Sequence, residues 1–436
     1  MMAQSEKCDI VILSDLHLSE GRNPETKRFN LNEDFFFDEE FDRFLAYLDT
    51  ESERRNRKWR LVSAGDMVDF LQITRKPGEA EFELRKSEED YGLGTSPDKT
   101  IWKMKVMMDG HWIFFKALGR FISKGNRFAI ISGNHDIEWT VPEIQKAFRE
   151  EMKKTYLPEG TSDPDKVVSN GIEFYPWFYY EPGLIWVEHG QQYDGMNSFD
   201  YLLFPYLPSS NELMLPGGSF FVRYLFNKVE QKDPFADNIK PVSAYLKKYA
   251  VRLLFSKEIV KHFRNFLKIV SKVRKFSNKE LEYLGQKNEE GIKAEAQRFG
   301  IDLKKLQAIK RLWVPSFLYN MGKLRNIKNF FTHQPGEIYQ DRASIIQKKL
   351  GVRYIIIGHT HEVDLAVLNH DGKVEYSNSG TWTKIFSTNP GERLLHEDHE
   401  SIFVQILKDQ GDKLELMKWR DELGQGERVK LFDKRL

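Results

Sequence analysis

The sequence predicts an α/β fold interrupted by a helical insertion. Two observations carry that expectation: short, nearly continuous apolar runs recur on both sides of the middle of the chain, and the middle itself has helical spacing and a different charge. Nearly continuous apolar runs suit strands covered on both faces. The first is Asp9 to Ser14, the second Arg60 to Ala64 and the third Arg127 to Ser132. Gly183 to Glu188 and Arg353 to Ile357 repeat the type. Between the first two, Phe41 to Leu48 has helical spacing, as a crossover would. The late segments Ser401 to Leu407 and Lys413 to Trp419 read as a closing antiparallel pair. Tyr175, Trp177, Phe178, Tyr179 and Tyr180 form an aromatic cluster that reads as core packing rather than a ligand box.

With 436 residues the chain exceeds the size at which a single hydrophobic core stops growing, so a core with an elaboration is expected. A content of 40% hydrophobic and 30% charged residues suits a globular chain and excludes a disordered one. No stretch approaches the roughly 18 uninterrupted apolar residues of a membrane span. Met1 to Lys7 lacks an apolar segment after its charges, which leads to an expectation of cytoplasmic residence. The single cysteine, Cys8, excludes an internal disulfide and any cysteine metal cage.

The near-zero net charge hides an asymmetry. Phe221 to Phe330 carries 25 lysines and arginines against 10 acidic residues, which leaves the rest of the chain net negative. Within it, apolar residues of Tyr245 to Phe276 recur at three- and four-residue intervals, opposite a face rich in lysine and arginine. Pro216-Gly217-Gly218 reads as the turn that opens the insertion. The expected division is 1–205 as the first part of the core, 206–345 as a basic helical insertion or cap, and 346–436 as the second part of the core.

Chemistry gathers at the strand ends. After the first strand comes Asp15-Leu16-His17, and after the second Gly65-Asp66-Met67-Val68-Asp69. Gly133-Asn134-His135-Asp136 follows the third, His189-Gly190 the fourth, and Gly358-His359-Thr360-His361 the fifth. The carboxyl edge of an open α/β sheet is where ligands bind. Glycine before the polar residue lets the backbone turn sharply and approach a ligand closely. Imidazole, carboxylate and amide donors without thiolates suit Mn, Fe, Zn or Mg, and the mixture of imidazole with carboxylate favours transition metals. Singly, each motif has a plainer reading: Asp-x-His as a turn or cap, Gly-Asn-His-Asp as a tight loop, His189 as a satisfied polar residue. All five in order, each at a strand end, make that reading a poor account of the set.

This order of motifs resembles the calcineurin-like metallophosphoesterase superfamily, over roughly Asp9 to Gln192 and Gly351 to Trp382. Asn378-Ser379-Gly380-Thr381-Trp382 also looks like the strand and turn that follow that family's last histidines. The resemblance implies a two-sheet αββα sandwich flanked by helices, with two divalent metal ions at one edge. Manganese is the first expectation, with iron, zinc or magnesium as alternatives. By resemblance, Asp15, His17 and His361 hold one metal, Asn134, His189 and His359 the other, and Asp66 bridges them. His135 would stabilise the transition state or protonate the leaving oxygen, and Asp69 would orient it. The implied reaction is hydrolysis of a phosphomonoester, phosphodiester or pyrophosphate bond by metal-bound hydroxide.

Substrate signals are weaker. Phe70-Leu71 and Asp136 stand where protein phosphatases of the superfamily have Arg-Gly and Glu. The opening motifs look closer to the branch that cleaves UDP-2,3-diacylglucosamine and to the recombination nucleases, although His135 stands where the former has Arg. The basic insertion reads in three ways: a solvated helical cap, an interface for a membrane surface or acyl chains, or a nucleic-acid surface. Its density of large apolar groups favours an amphiphilic or lipid-linked phosphoester, with peripheral contact to the inner membrane face. The alternatives are a nuclease-type phosphodiesterase and, of another class, a non-catalytic metal-binding scaffold.

Overall fold

In the computed structural model of the chain, residues 8–78, 81–230, 239–240, 261, 264, 276–317, 335–368, 375–387 and 396–429 are described. The apolar runs are strands, and their alternation decides what lies on each side of them. β1 (Cys8–Leu13) pairs in parallel with β2 (Lys58–Ala64), with Ile12 opposite Val62. β3 (Arg127–Ile131) and β4 (Ile172–Tyr175) continue the sheet in parallel. The chain then crosses to a second sheet through β5 (Phe178–Glu181) and β6 (Ile185–Glu188). After β7 (Ile239–Lys240) come β8 (Tyr354–Ile357), β9 (Val363–Ala366) and β10 (Tyr376–Ser379). β11 (Ile385–Ser387) and β12 (His396–Asp398) precede β13 (Ile402–Leu407), β14 (Lys413–Arg420) and β15 (Gln425–Arg428).

The larger sheet runs β15-β14-β13-β1-β2-β3-β4 and the second β5-β6-β8-β10-β9, with β7, β11 and β12 in a small third sheet. β13 lies antiparallel to β1, and β14 antiparallel to β13 with Phe403 opposite Met417, so the late pair closes the larger sheet as expected. In the second sheet β6, β8 and β10 are parallel, flanked by antiparallel β5 and β9.

Both large sheets are covered on both faces. Ile10, Ile12, Val62 and Ala129 of the first pack against Ile185, Val187 and Ile356 of the second. On the outer face of the first sheet, Val11, Leu13 and Leu61 meet the helices Asp38–Arg55 and Trp112–Ser123 through Phe41, Phe44, Leu45 and Phe114. Trp186, Ile355 and Ile357 on the outer face of the second sheet meet Asn278–Phe299 and Pro335–Leu350 through Ile292, Ala296, Tyr339 and Ile346. The molecule is an α/β protein with two mixed sheets between layers of helix. Each such apolar side chain contributes about 1.5–3 kcal/mol on burial, which holds the site's scaffold rigid.

The helix expected over Phe41 to Leu48 spans Asp38–Arg55, because Asp38, Glu39 and Glu40 at its start and Arg54 and Arg55 at its end complement its dipole. The aromatic cluster is core: Tyr175 and Tyr179 lie between the sheets, and Phe178 stacks on Trp186 with centroids 3.8 Å apart. Pro216-Gly217-Gly218 differs from expectation. Pro216 precedes a helix, Gly217–Phe221, that continues through Val222–Phe226 to Asn227–Glu230. A Cβ on Gly218 would collide with Asn197 Oδ1, so the glycine provides room rather than a bend. The amphipathic stretch 245–276, apart from residues 261, 264 and 276, lies outside the described residues, as does much of the basic segment. Among the described residues, no helix is long and apolar enough to cross a membrane.

Candidate metal centre

The ends of β1, β2, β3, β6 and β8 arrive at one edge of the sandwich and bring together all nine residues singled out from the sequence. Backbone bonds tie the first two loops: His17 N–H donates to Asp66 O at 3.0 Å and Leu18 N–H to Met67 O at 3.0 Å. Five of the nine have left-handed backbone, with φ of 55° at Asp15, 52° at His17, 49° at Asp66, 73° at His359 and 58° at His361. That conformation costs roughly 1–2 kcal/mol for a residue with a Cβ, so the surrounding bonds hold the strain in place.

The glycines of these motifs do more for space than for bending. A Cβ on Gly133 would run into Asp66, one on Gly65 into the His189 ring, and one on Gly358 into Ser14 and Asp15. Of the three, only Gly65 has positive φ, at 89°.

Within the edge, side chains fall into three groups able to hold a metal ion: Asp15 with His17 and His361, Asp66 with His189 and His359, and His17 with Asp69 and His135. In the first, His361 Nε2 is 3.3 Å from Asp15 Oδ1 and 3.2 Å from His17 Nε2. In the second, His189 Nε2 is 3.0 Å from Asp66 Oδ2, 3.2 Å from His359 Nδ1 and 3.2 Å from Asn134 Oδ1. Asp66 stands between them, its Oδ2 also 3.9 Å from His17 Nε2. The third group is of another kind, since His135 Nδ1 and Asp69 Oδ2 share a hydrogen bond of 2.5 Å.

Two facts test whether a cation fits. Buried Asp15 Oδ1 meets only histidine rings, the nearest being His361 Nε2 at 3.3 Å. Ring nitrogens also face ring nitrogens at 3.2 Å, an arrangement in which two lone pairs point at one spot unless a cation or proton lies between them. The electrostatics agree. Burial opposes ionisation of Asp15, Asp66 and Asp69, yet adjacent imidazoles hold all three carboxyls well below the usual carboxylate range. Burial likewise opposes a charge on His189, but Asp66 raises its pKa to about 9. The carboxylates require positive charge, which protonated imidazoles or bound cations can supply. Asp15, Asp66 and His189 are buried while His135, His359 and His361 are partly exposed, so the cluster opens outward on its histidine side.

Two further residues organise the edge, and sequence reasoning gave neither a role. The Asp136 carboxylate accepts N–H bonds from Gly133 (2.6 Å) and Met67 (2.8 Å), stapling the loop after β3 to the one after β2. Its position in Gly-Asn-His-Asp was the available signal. Asp194 Oδ2 lies 3.3 Å from His359 Nε2, on a loop with no periodic pattern to mark it. His189 is oriented from its other nitrogen, with Nδ1 2.9 Å from the Ala64 carbonyl oxygen.

The fold and the site define an α/β sandwich protein with buried histidine and aspartate groups able to hold metal ions. No known family model matches the chain, and no curated protein matches it.

Proposed function

We propose that this protein is a two-metal phosphoesterase that hydrolyses a phosphomonoester, phosphodiester or pyrophosphate bond. The observation that carries the reading is the place of Asp66, a buried carboxylate between two separate His/Asp groups at the carboxyl edge of the strands. A carboxylate there can serve two cations about 3.5–4 Å apart. Asp15, His17 and His361 would hold one ion, and Asn134, His189 and His359 the other. Manganese suits the mixed imidazole and carboxylate donors, with iron, zinc and magnesium as alternatives. Bound there, the ions supply Lewis acidity towards phosphate oxygens and a water of lowered pKa.

The chain's own residues do the rest. His135 lies on the open side, with its backbone N–H donating to Asp66 Oδ1 at 2.9 Å, which fixes its place relative to the bridge. Asp69 holds the ring at Nδ1, which leaves Nε2 to act on the departing oxygen as general acid. The helix over Gly217–Glu230 supports an amphiphilic substrate: buried Ser219 Oγ lies 3.5 Å from Asn134 O, and Phe220, Phe221, Tyr224 and Phe226 nearby are only half-buried.

The test is turnover of bis(p-nitrophenyl) phosphate with added Mn. Activity that EDTA abolishes and that falls on the order of 10³-fold in Asp66→Asn is expected. No turnover with Mn, Zn, Fe or Mg at full occupancy, or full turnover in Asp66→Asn, overturns the reading. Stronger inhibition by dodecyl phosphate than by an oligonucleotide is expected for an amphiphilic substrate; the reverse order favours a nuclease.

A further inference from the structure

Where the chain leaves β6, a short loop does two jobs. It begins with the candidate ligand His189, turns at Gly190 and runs through Gln191–Tyr193 to Asp194. The Asp194 carboxylate then shapes the next turn, accepting from Met196 N at 2.9 Å and Asn197 Nδ2 at 2.6 Å. Its Oδ2, which takes the Asn197 bond, is also the oxygen 3.3 Å from His359 Nε2. His359 therefore has one nitrogen engaged by a carboxylate and its other, Nδ1, turned to His189 Nε2 within the second metal group.

This same loop carries segments from far along the chain. Gly218 N–H donates to Met196 O at 2.8 Å, Phe317 N–H to Gly195 O at 2.8 Å and Val314 N–H to Gln192 O at 2.9 Å. Ser316 N–H adds a bond to Asp200 Oδ1 at 2.9 Å. Both the outgoing chain near Gly218 and the returning chain near Phe317 thus dock on the turn that Asp194 builds.

Resting on the two-metal reading above, we propose that Asp194 is a positioning residue for the second metal, set on the turn where Gly218 and Phe317 dock. An imidazole whose far nitrogen donates to a carboxylate is fixed in tautomer and ring angle and made a more basic ligand, and loss of such a partner costs about 10–100-fold in metal affinity. Asp194 provides that partner from a turn that also holds Gly218 and Phe317 through backbone bonds.

Mn binding by calorimetry, with stoichiometry from the paramagnetic resonance of free Mn, tests this on the full chain. Wild type is expected to bind two ions. Asp194→Asn is expected to keep one site unchanged and weaken the other about 10–100-fold, with the metal-free melting temperature recorded for each. Asn197→Ala removes one bond to the same oxygen and remains informative if Asp194→Asn does not fold; it should weaken the same single site by less. Two unchanged sites in the folded Asp194→Asn protein overturn this inference and leave the two-metal reading standing, as do two unchanged sites in Asn197→Ala if Asp194→Asn does not fold. Equal weakening of both sites also overturns it, because a general structural loss does not select one ion. A wild type that binds no Mn overturns the two-metal reading itself, and this inference with it.

Discussion

Two clusters of buried imidazole and carboxylate sit in this molecule, and they are built to opposite ends. Around His111, every ring nitrogen faces a carboxylate oxygen: Nδ1 is 3.0 Å from Asp38 Oδ1 and Nε2 is 3.2 Å from Glu33 Oε2. Glu33 is satisfied further by Gly21 N–H at 2.6 Å, Ser19 Oγ at 2.8 Å and Phe35 N–H at 3.0 Å. At the strand ends, imidazole nitrogens face carboxylates as well, but His17 also faces His361 and His189 also faces His359, each at 3.2 Å. Residue type does not separate the two clusters; imidazole nitrogens that face each other do.

Substitutions should separate the two clusters, and the largest effect belongs to the strand ends. Replacing His135 with Gln should lower kcat on the order of 10²–10⁴-fold while two Mn ions remain bound, as measured by steady-state rates beside metal analysis. Loss of metal along with rate would move His135 into the ligand set. His111→Leu should act on the other cluster alone. It strands Glu33 and Asp38 without their shared partner and should cost about 3–5 kcal/mol in urea unfolding of the EDTA-treated protein. Mn affinity should not change.

That second effect carries a pH signature. Burial opposes the His111 charge, but Asp38 and Glu33 prevail and raise its pKa from 6.5 to about 10. Protonated His111 thus stabilises the fold fully below pH 6.5, and the contribution is lost as pH rises through about 10. The stability gap between wild type and His111→Leu should shrink over that window; a constant gap would mean that the ring stabilises by packing. Smaller still, Mn at 100 times its dissociation constant should stabilise wild type by about 2.7 kcal/mol per site, reversed by EDTA. Stabilisation of equal size in Asp66→Asn would break the assignment of that carboxylate as shared.

Much of this was legible in the sequence because buried parallel strands are written as apolar runs and their carboxyl ends come at once after them. Asp15, Asp66, Asn134, His189 and His359 each stand within a few residues of such a run. His111 carries no such mark, since it sits between the helices Pro97–Gly110 and Trp112–Ser123 with its partners 73 and 78 residues away. Asp194 was invisible for a similar reason: its partner His359 is 165 positions distant. Pro216-Gly217-Gly218 misled because glycine marks a turn and a close packing contact with the same letter, and here Asn197 sets the requirement.

In the larger sheet β1 lies between β2 and β13, and Asp15 and His17 just beyond it meet His361 from the far part of the chain. During synthesis at roughly 5–20 residues per second, the first half of the cluster emerges tens of seconds before the second. Until then Asp15 and His17 have no His361 to close their metal group, and the edge of β1 that takes β13 is open to any other strand. The group able to hold a metal ion is therefore completed late in the life of the nascent chain, and a ribosome stalled before His361 holds a half-built cluster.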